Sequence, residues 1–153
     1  MRTIALVDTS IVDASRDRVF SAMEELTRGR AQWWLPRIEV RPVAITGDDL
    51  TGSVFELLAR KPRGPITRMR VVEALRPERL RYEYLSGVMV GSGEMTLTAA
   101  DGKTVLRYDT RWKPKNRLQG WLLQPVWRRT HSGLFMPAYF TGLKDYLARR
   151  GDQ

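Results

Sequence analysis

The sequence contains no cysteine and only one histidine, His131, among its 153 residues. Without cysteine the chain can form neither a disulfide nor a thiolate nucleophile, and a chain without disulfides fits a reducing compartment. A single histidine with no cysteine also leaves no ligand set of the kind that holds zinc. We therefore predict no metal site and no cofactor, and the sequence assigns no catalytic residue.

Two common catalytic motifs are also missing. A glycine-rich phosphate loop is followed by a helix, whereas Gly91-Ser92-Gly93 lies inside a strand-like pattern. A serine triad would have to use His131, and no nucleophile-elbow motif is present. These absences argue against a nucleotide-binding loop and against a serine hydrolase.

Long apolar runs are absent from the sequence. The N-terminal run from Ile4 ends at Asp8, which is too early for the apolar core of a signal peptide. No stretch reaches the roughly 18–20 apolar residues that a membrane-spanning helix needs. The longest apolar-rich region, Leu118 to Leu147, is interrupted by Arg128, Arg129 and Lys144. We expect a cytoplasmic protein.

Acidic residues are few, since 17 Asp and Glu stand against 26 Lys and Arg and give a net charge of +9. Such an excess can indicate a nucleic-acid, ribosomal or anionic-membrane partner. The basic residues are scattered, however, which favours solvated faces and argues against a nucleic-acid partner. Short basic clusters occur at Arg111–Lys115 and at Arg128-Arg129, and Trp121 and Leu122 lie between them. Contact with an anionic membrane surface therefore stays an open alternative.

The overall composition of the chain is that of an ordinary globular protein. Hydrophobic residues make up 42% and charged residues 28% of the chain. At this length about 70% of the unfolded chain's surface can be buried, which permits a real core. We predict one domain, residues 1–153.

Helical signals follow the first predicted strand, which covers residues 4–12. Asp13 or Ser15 can cap a helix, and apolar residues recur at helical spacing from Val19 to Leu26, before Gly29 ends it. A short second helix over residues 31–34 would end at Pro36, which cannot continue a helix. Two short helices are therefore predicted between strands one and two.

The middle of the chain has strand patterns separated by turn residues. Leu80, Tyr82 and Tyr84 alternate with charged residues, so one face of that strand is buried and the other faces water. Gly91 and Gly93 suggest a bend or bulge, and Asp101-Gly102 is a strong hairpin turn. The predicted strands are 4–12, 38–45, 53–60, 66–74, 80–85, 88–98 and 104–112.

The C-terminal region is predicted to be one long helix with a kink near Pro137. Its apolar residues occupy one broad arc, which a sheet would cover. The predicted fold is α+β, with a curved antiparallel sheet of about seven strands around this helix. The arc contains Trp127, His131, Leu134, Phe135, Ala138, Tyr139, Gly142, Leu143, Tyr146 and Leu147.

Several local patterns, in this order, resemble the START-like superfamily (SRPBCC), in particular its polyketide cyclase/dehydrase and lipid-transport-like family. The resemblance implies a helix-grip fold with a cavity between the sheet and the long helix. It implies a lipid, sterol, polyketide, hormone or quinone ligand for many members and catalysis for a minority. The patterns are Ile11–Phe20, Trp33-Trp34, Thr51-Gly52-Ser53, Gly91–Leu97, Asp101–Leu106 and Gly142–Leu147.

Aromatic residues and the histidine on the inferred inward faces are the candidate ligand-binding residues. Buried tyrosines need a hydrogen-bond partner, which a polar ligand could supply, although aromatic residues also pack ordinary cores. Only one of the adjacent Trp33 and Trp34 is expected to face inward, because neighbours on a helix point about 100° apart. His131 could contact a ligand or could be purely structural. The candidates are Trp33, Tyr82, Tyr84, Tyr108, Trp112, His131 and Phe135.

Three functions remain open from the sequence. The first is binding, with transport or sequestration, of a small hydrophobic molecule such as a lipid, polyketide or quinone, in a cavity of several hundred cubic ångströms. The second is a cyclase or dehydratase that uses His131 with Tyr84 or Tyr108. The third is a basic interaction module for ribosome, RNA or an anionic membrane.

Overall fold

A seven-stranded sheet and a long C-terminal helical region make up the computed structural model, which describes residues 3–60, 63–86, 89–114 and 116–151. The helices are α1 (Arg16–Thr27), α2 (Arg117–Thr130) and α3 (Met136–Gly151), with a π-helical turn at His131–Phe135 between the last two. The strands are β1 (Ile4–Val12), β2 (Ile38–Ala44), β3 (Val54–Arg60), β4 (Arg63–Leu75), β5 (Arg79–Tyr84), β6 (Met89–Ala100) and β7 (Lys103–Pro114).

All neighbouring strands pair antiparallel, in the order β1-β7-β6-β5-β4-β3-β2. This confirms the predicted sheet and its seven strands. The loop expected at residues 62–65 is wrong in part, because β4 already begins at Arg63, which pairs with Arg60. The predicted start of the sixth strand at Val88 and the basic residues Lys61 and Lys115 lie outside the described residues.

The bulges of the sheet do not lie at Gly91 and Gly93, where the sequence suggested them. Pairing runs without a register shift through both glycines. The register instead shifts in the pairings β2–β3, β3–β4 and β4–β5. A bulge bends its strand, so these three shifts increase the curvature on the β2 side of the sheet. The predicted hairpin at Asp101-Gly102 is confirmed, with positive φ at both residues.

One helix, not two, lies between β1 and β2. The Ser15 hydroxyl accepts a hydrogen bond from the backbone N–H of Arg18 at 3.3 Å and caps α1, as predicted. Residues 33–37 form turns, so the predicted second helix is wrong. Its few residues lie between the end of α1 and Pro36, and a residue before proline is disfavoured in helical conformation.

The C-terminal helical region is continuous but changes its hydrogen-bonding pattern in the π-helical turn. The backbone N–H of Met136 bonds to the carbonyl of His131, five residues earlier. Pro137 has no N–H, so the carbonyl of Gly133 loses its helical partner. The irregularity therefore lies one turn before the predicted kink at Pro137. Pro125 lies inside α2, which begins at Arg117.

The core lies between one face of the sheet and the helices α1 and α3. Leu80 and Leu106 from the sheet, Phe20 from α1 and Leu143 from α3 are fully buried in it. Carboxylates on the opposite face of the sheet pair with arginines, for example Glu56 with Arg68. In the described part of the chain, no helix is both long and apolar enough to span a membrane.

Candidate functional site

A cavity of about 60 Å³, called here the inner cavity, lies between the sheet and the C-terminal helices. It has room for only a few water-sized groups and is far smaller than the several hundred cubic ångströms expected from the sequence. Its walls are Leu26, Thr27, Trp34, Ile38, Val40, Phe55, Leu57, Ile66, Thr67, Met69, Tyr82, Tyr84, Met95, Tyr108, Trp127, His131, Phe135, Met136 and Tyr139.

Interlocking aromatic rings account for the small volume. The ring of Tyr82 packs edge-on against Phe55, with centroids 5.9 Å apart, and against Tyr108, at 6.4 Å. Tyr139 packs edge-on against Trp34 at 4.9 Å. Edge-to-face packing fills space efficiently, and residue spacing in the sequence does not reveal it. A ligand larger than a few atoms must therefore displace side chains.

A second depression, called here the outer groove, adjoins the inner cavity at Phe135 and has a volume of about 660 Å³. It is formed by the ends of β3 and β4, the turn after Trp34 and the π-helical turn. Phe135 belongs to the walls of both the inner cavity and the outer groove. Phe135 is therefore a residue that the two spaces share.

A pair of tyrosines supplies hydroxyl groups to the inner cavity. The hydroxyls of Tyr84 and Tyr108 hydrogen-bond to each other. Gly93 on β6 makes room for this pair, because a Cβ at that position would overlap the Tyr108 ring. Burial raises the pKa of Tyr84 to about 12 and that of Tyr108 well above its usual value. Both hydroxyls therefore remain neutral hydrogen-bond donors at physiological pH.

His131 lies at the same end of the cavity and is 95% buried. Its Nε2 is 3.4 Å from the hydroxyl of Thr110, and its ring stacks on Tyr108 with centroids 5.9 Å apart. Its Nδ1 is 3.4 Å from Oδ2 of Asp8. That contact is close enough for an ion pair but is not aligned as a hydrogen bond, so Nδ1 has no hydrogen-bond partner among the described residues. The Ser132 hydroxyl donates to the same Asp8 oxygen at 3.2 Å.

Unsatisfied nitrogen atoms collect beside this histidine. The indole N–H groups of Trp112 and Trp127, like Nδ1 of His131, are buried without a hydrogen-bond partner in the described part of the chain. The three rings are in contact, with Trp112 and Trp127 centroids 3.7 Å apart. Buried polar groups are nearly always paired in native proteins. Of these three residues, Trp127 and His131 line the inner cavity, so their unpaired nitrogen atoms lie at this end of it.

The structure brings together five of the seven residues predicted from the sequence. Trp33 does not line the cavity; it lies in the core behind it, with its indole N–H bonded to the carbonyl of Ala22 at 2.9 Å. Trp112 also lies off the cavity wall, behind Trp127 and His131. The five residues on the cavity wall are Tyr82, Tyr84, Tyr108, His131 and Phe135.

The expectation that only one of the adjacent tryptophans would face inward is wrong. Trp33 is 5% and Trp34 is 8% exposed, because a turn rather than a helix presents both side chains to the core. The indole N–H of Trp34 donates to the carbonyl of Phe135 at 3.0 Å. This bond ties the turn to the end of the π-helical turn, and Trp34 takes the place on the cavity wall that was predicted for Trp33.

Sequence reasoning missed Asp8 as part of the site. In β1 the residues Ile4, Leu6 and Val12 are buried, and Asp8 belongs to the same alternating set. A carboxylate on the inward face of a strand was therefore a readable signal. Trp127 and Tyr139 were on the predicted apolar arc of the C-terminal helix but were not nominated for the site.

No metal centre is found in the described residues, where no group of three His, Asp or Glu side chains is arranged to hold an ion. The site itself contains hydrogen-bond donors, one imidazole and one nearby carboxylate. Such groups can orient a ligand oxygen or move a proton.

A curved antiparallel sheet closed by a long C-terminal helix over an inner cavity defines the helix-grip class. The family model described as polyketide cyclase / dehydrase and lipid transport matches residues 3–148, so the chain belongs to that family. A comparison with curated proteins finds no match in sequence.

Solved structures show the same fold at low sequence identity. TTHA0849 from Thermus thermophilus is 14% identical with a TM-score of 0.76, over 96% of this chain and 99% of that one. A START superfamily protein from Mycobacterium smegmatis is 14% identical with a TM-score of 0.70, over 95% and 97% of the two chains. The di-domain ARO/CYC StfQ from the steffimycin biosynthetic pathway is 14% identical with a TM-score of 0.77, over 99% of this chain and 53% of StfQ.

Proposed function

We propose that the chain acts as one domain that binds a small, mostly apolar molecule with a hydrogen-bond-accepting oxygen. The apolar part would occupy the inner cavity, and the oxygen would lie at the end formed by Tyr84, Tyr108 and His131. The observation that carries the proposal is the aromatic-lined cavity with a few convergent polar groups at one end, which is the usual form of a small-molecule site.

The hydrogen-bond donors at this end of the inner cavity indicate which polar group the ligand would carry. The Tyr84 and Tyr108 hydroxyls are neutral, and the unpaired N–H groups of Trp112 and Trp127 lie beside them. A carbonyl or hydroxyl oxygen would accept hydrogen bonds there. A ligand without such an oxygen would leave the two indole N–H groups buried and unpaired, at a cost of about 1–3 kcal/mol for each group.

The path into the cavity would run through the outer groove. Because Phe135 lines both spaces, its side chain would turn away to let a ligand of ordinary size enter. Its ring lies beside Trp127, with centroids 6.3 Å apart. The π-helical turn that holds Phe135 is the irregular part of the C-terminal helices, so movement there would disturb few regular hydrogen bonds.

The test begins with native mass spectrometry of freshly purified protein, followed by denaturing extraction of any bound compound. We expect a reproducible small apolar compound that contains oxygen. Tyr108→Phe should weaken binding of the extracted compound by about 5- to 30-fold, since one hydrogen bond is lost. Tyr146→Phe is the matched control, because the Tyr146 hydroxyl lies on the surface and accepts a hydrogen bond from Arg150.

Two results would count against ligand binding in the inner cavity. One is a protein that is free of small molecules and also fails to bind 1-anilinonaphthalene-8-sulfonate, a general probe for apolar cavities. The other is equal loss of affinity in Tyr108→Phe and Tyr146→Phe, which would place the ligand away from the inner cavity.

Acid–base catalysis of the cyclase or dehydratase kind is the second candidate, and the approach of Asp8 to His131 favours it. An imidazole held beside a carboxylate can remove a proton next to a ligand carbonyl. The Tyr108 hydroxyl would then stabilise the negative charge that develops on the carbonyl oxygen. His131→Gln keeps a hydrogen-bonding side chain but removes the base. Unchanged turnover of the extracted compound in that variant would eliminate this mechanism.

A further inference from the structure

Several apolar side chains of helix α2 face solvent. Leu118, Trp121, Leu122 and Val126 are between 53% and 76% exposed. Their spacing of three, four and eight residues places them on one side of the helix, and we call them the α2 stripe. Surface helices normally bury such a stripe against the core. A contiguous exposed apolar patch of this kind marks an interaction site.

The opposite side of α2 holds the helix in this orientation. Trp127 lies about 180° around the helix from the centre of the α2 stripe. Its ring packs against Trp112 of β7, with centroids 3.7 Å apart, and also contacts His131. Because Trp127 is fixed against the protein, the α2 stripe faces outward as part of the folded structure.

The α2 stripe lies in a segment of the sequence whose charged residues are all basic. The sequence has no Asp or Glu between Asp109 and Asp145. On α2 itself, Arg117 precedes the α2 stripe, and Arg128 and Arg129 follow it toward the C-terminal end of the helix. All three side chains are exposed. The basic residues between those two aspartates are Arg111, Lys113, Lys115, Arg117, Arg128, Arg129 and Lys144.

These features select one kind of partner. A second copy of the chain, placed symmetrically, would bring the same arginines face to face, and their repulsion would oppose a dimer. A helix that combines an apolar stripe, a tryptophan and flanking arginines instead fits the boundary between headgroups and acyl chains. We propose that α2 docks the protein on an anionic membrane surface, with the α2 stripe in the lipid and the arginines on the lipid phosphates.

The proposal goes beyond ligand binding and needs no ligand in the inner cavity. It also places the cavity next to the membrane, since Trp127 forms part of the cavity wall while the α2 stripe lies on the other side of the same helix. A bound protein would therefore present the wall made by α2 to the lipid.

Vesicle co-sedimentation of the full chain tests the docking. The probes are vesicles of phosphatidylcholine alone and of phosphatidylcholine with one quarter phosphatidylglycerol. We expect binding to the anionic vesicles, and a loss of about tenfold or more in the partition coefficient for Trp121→Ser with Leu122→Ser. Val7→Ser with Ile11→Ser is the matched control, since these residues are 52% and 62% exposed on β1. That variant should bind like the wild type.

A second pair of variants tests whether membrane binding depends on the arginines of α2. Arg128→Gln with Arg129→Gln should reduce binding to anionic vesicles by about tenfold or more, because each basic residue near the surface contributes to the attraction. Arg149→Gln with Arg150→Gln removes the same charge from the exposed end of α3 and should have little effect. Added salt should weaken wild-type binding.

Fluorescence locates the contact. Trp121 is highly exposed, while Trp33, Trp34 and Trp112 are buried and Trp127 is half-buried. Lipids with brominated acyl chains should therefore quench emission mainly from Trp121, and Trp121→Phe should remove most of that quenching.

Four results would overturn the proposal. They are no binding to anionic vesicles at low salt, equal binding to neutral vesicles, binding that the α2 stripe variant leaves unchanged, and a dimer that this variant dissolves. Tyr108→Phe should bind vesicles like the wild type, so failure of the ligand proposal and failure of the membrane proposal are seen separately.

Discussion

Among single residues, Gly142 lies tightly against a distant part of the chain. A Cβ at this position of α3 would overlap the main-chain carbonyl of Trp33. Gly142→Ala must therefore push α3 away from the turn that holds the adjacent tryptophans. We expect the free energy of unfolding to fall by about 1–3 kcal/mol, although alanine favours a helix. Urea denaturation measures the change.

The control for this substitution lies one helix turn before α3. Gly133 has nothing within 4 Å of the position where a Cβ would lie. Gly133→Ala should leave stability unchanged or raise it by up to about 1 kcal/mol. Equal stability of the wild type and Gly142→Ala would mean that α3 does not approach the Trp33 turn as closely as the structure shows.

Among the described side chains of helix α2, Trp127 packs on Trp112 of β7. Trp127→Ala should loosen the helix and speed amide hydrogen exchange in α2, while the amides of β6 and β7 keep their protection. Hydrogen-exchange mass spectrometry measures both regions in one experiment.

Trp121 gives the comparison within the same helix, because its side chain is 76% exposed. Trp121→Ala removes an equally large ring but should leave exchange in α2 unchanged. Similar acceleration in the two variants would show that α2 is not anchored through Trp127.

Across the whole molecule, four tyrosines around the inner cavity connect stability to alkaline pH. Burial raises the pKa of Tyr84 to about 12 and shifts the pKa values of Tyr82, Tyr108 and Tyr139 in the same direction. Tyrosines of the unfolded chain have a pKa of about 10. Above that pH the unfolded chain binds fewer protons than the folded protein, so the free energy of unfolding must fall as pH rises.

We expect this fall between about pH 10 and pH 12, with a slope of roughly 1.4 kcal/mol per pH unit for each shifted tyrosine. Urea denaturation at several pH values, with tyrosinate absorbance as a second signal, measures it. Tyr84→Phe should reduce the slope. Ionisation of all the tyrosines near pH 10 with the fold intact would contradict the burial described here.

Periodicity in the sequence was enough to predict most elements of the fold. Alternation in β5 and β7 put Leu80, Tyr82, Leu106 and Tyr108 on the buried face, and the structure confirms this. The cap at Ser15 was equally readable, since it depends on residues close together in the chain. The second short helix failed because its turn is shaped by contacts with α1 and the π-helical turn, which are distant in sequence.

The site was only partly predictable for the same reason. Tyr84, Tyr108 and His131 could be nominated from their faces, but the approach of Asp8 to His131 joins residues at opposite ends of the chain. The size of the inner cavity depends on how the aromatic rings interlock, which no spacing rule contains. Ligand binding, its alternatives and a cytoplasmic location stay predictions.

Local chemistry in the sequence determined the strands, the helix starts, the buried faces and the family, because each depends on neighbouring residues or on their order. Tertiary structure alone decided which of two adjacent tryptophans reaches the cavity, how little space the rings leave, and that α2 turns its apolar side outward. Those outcomes depend on packing between segments far apart in the chain, where the volume and direction of each side chain are fixed only by its neighbours in space.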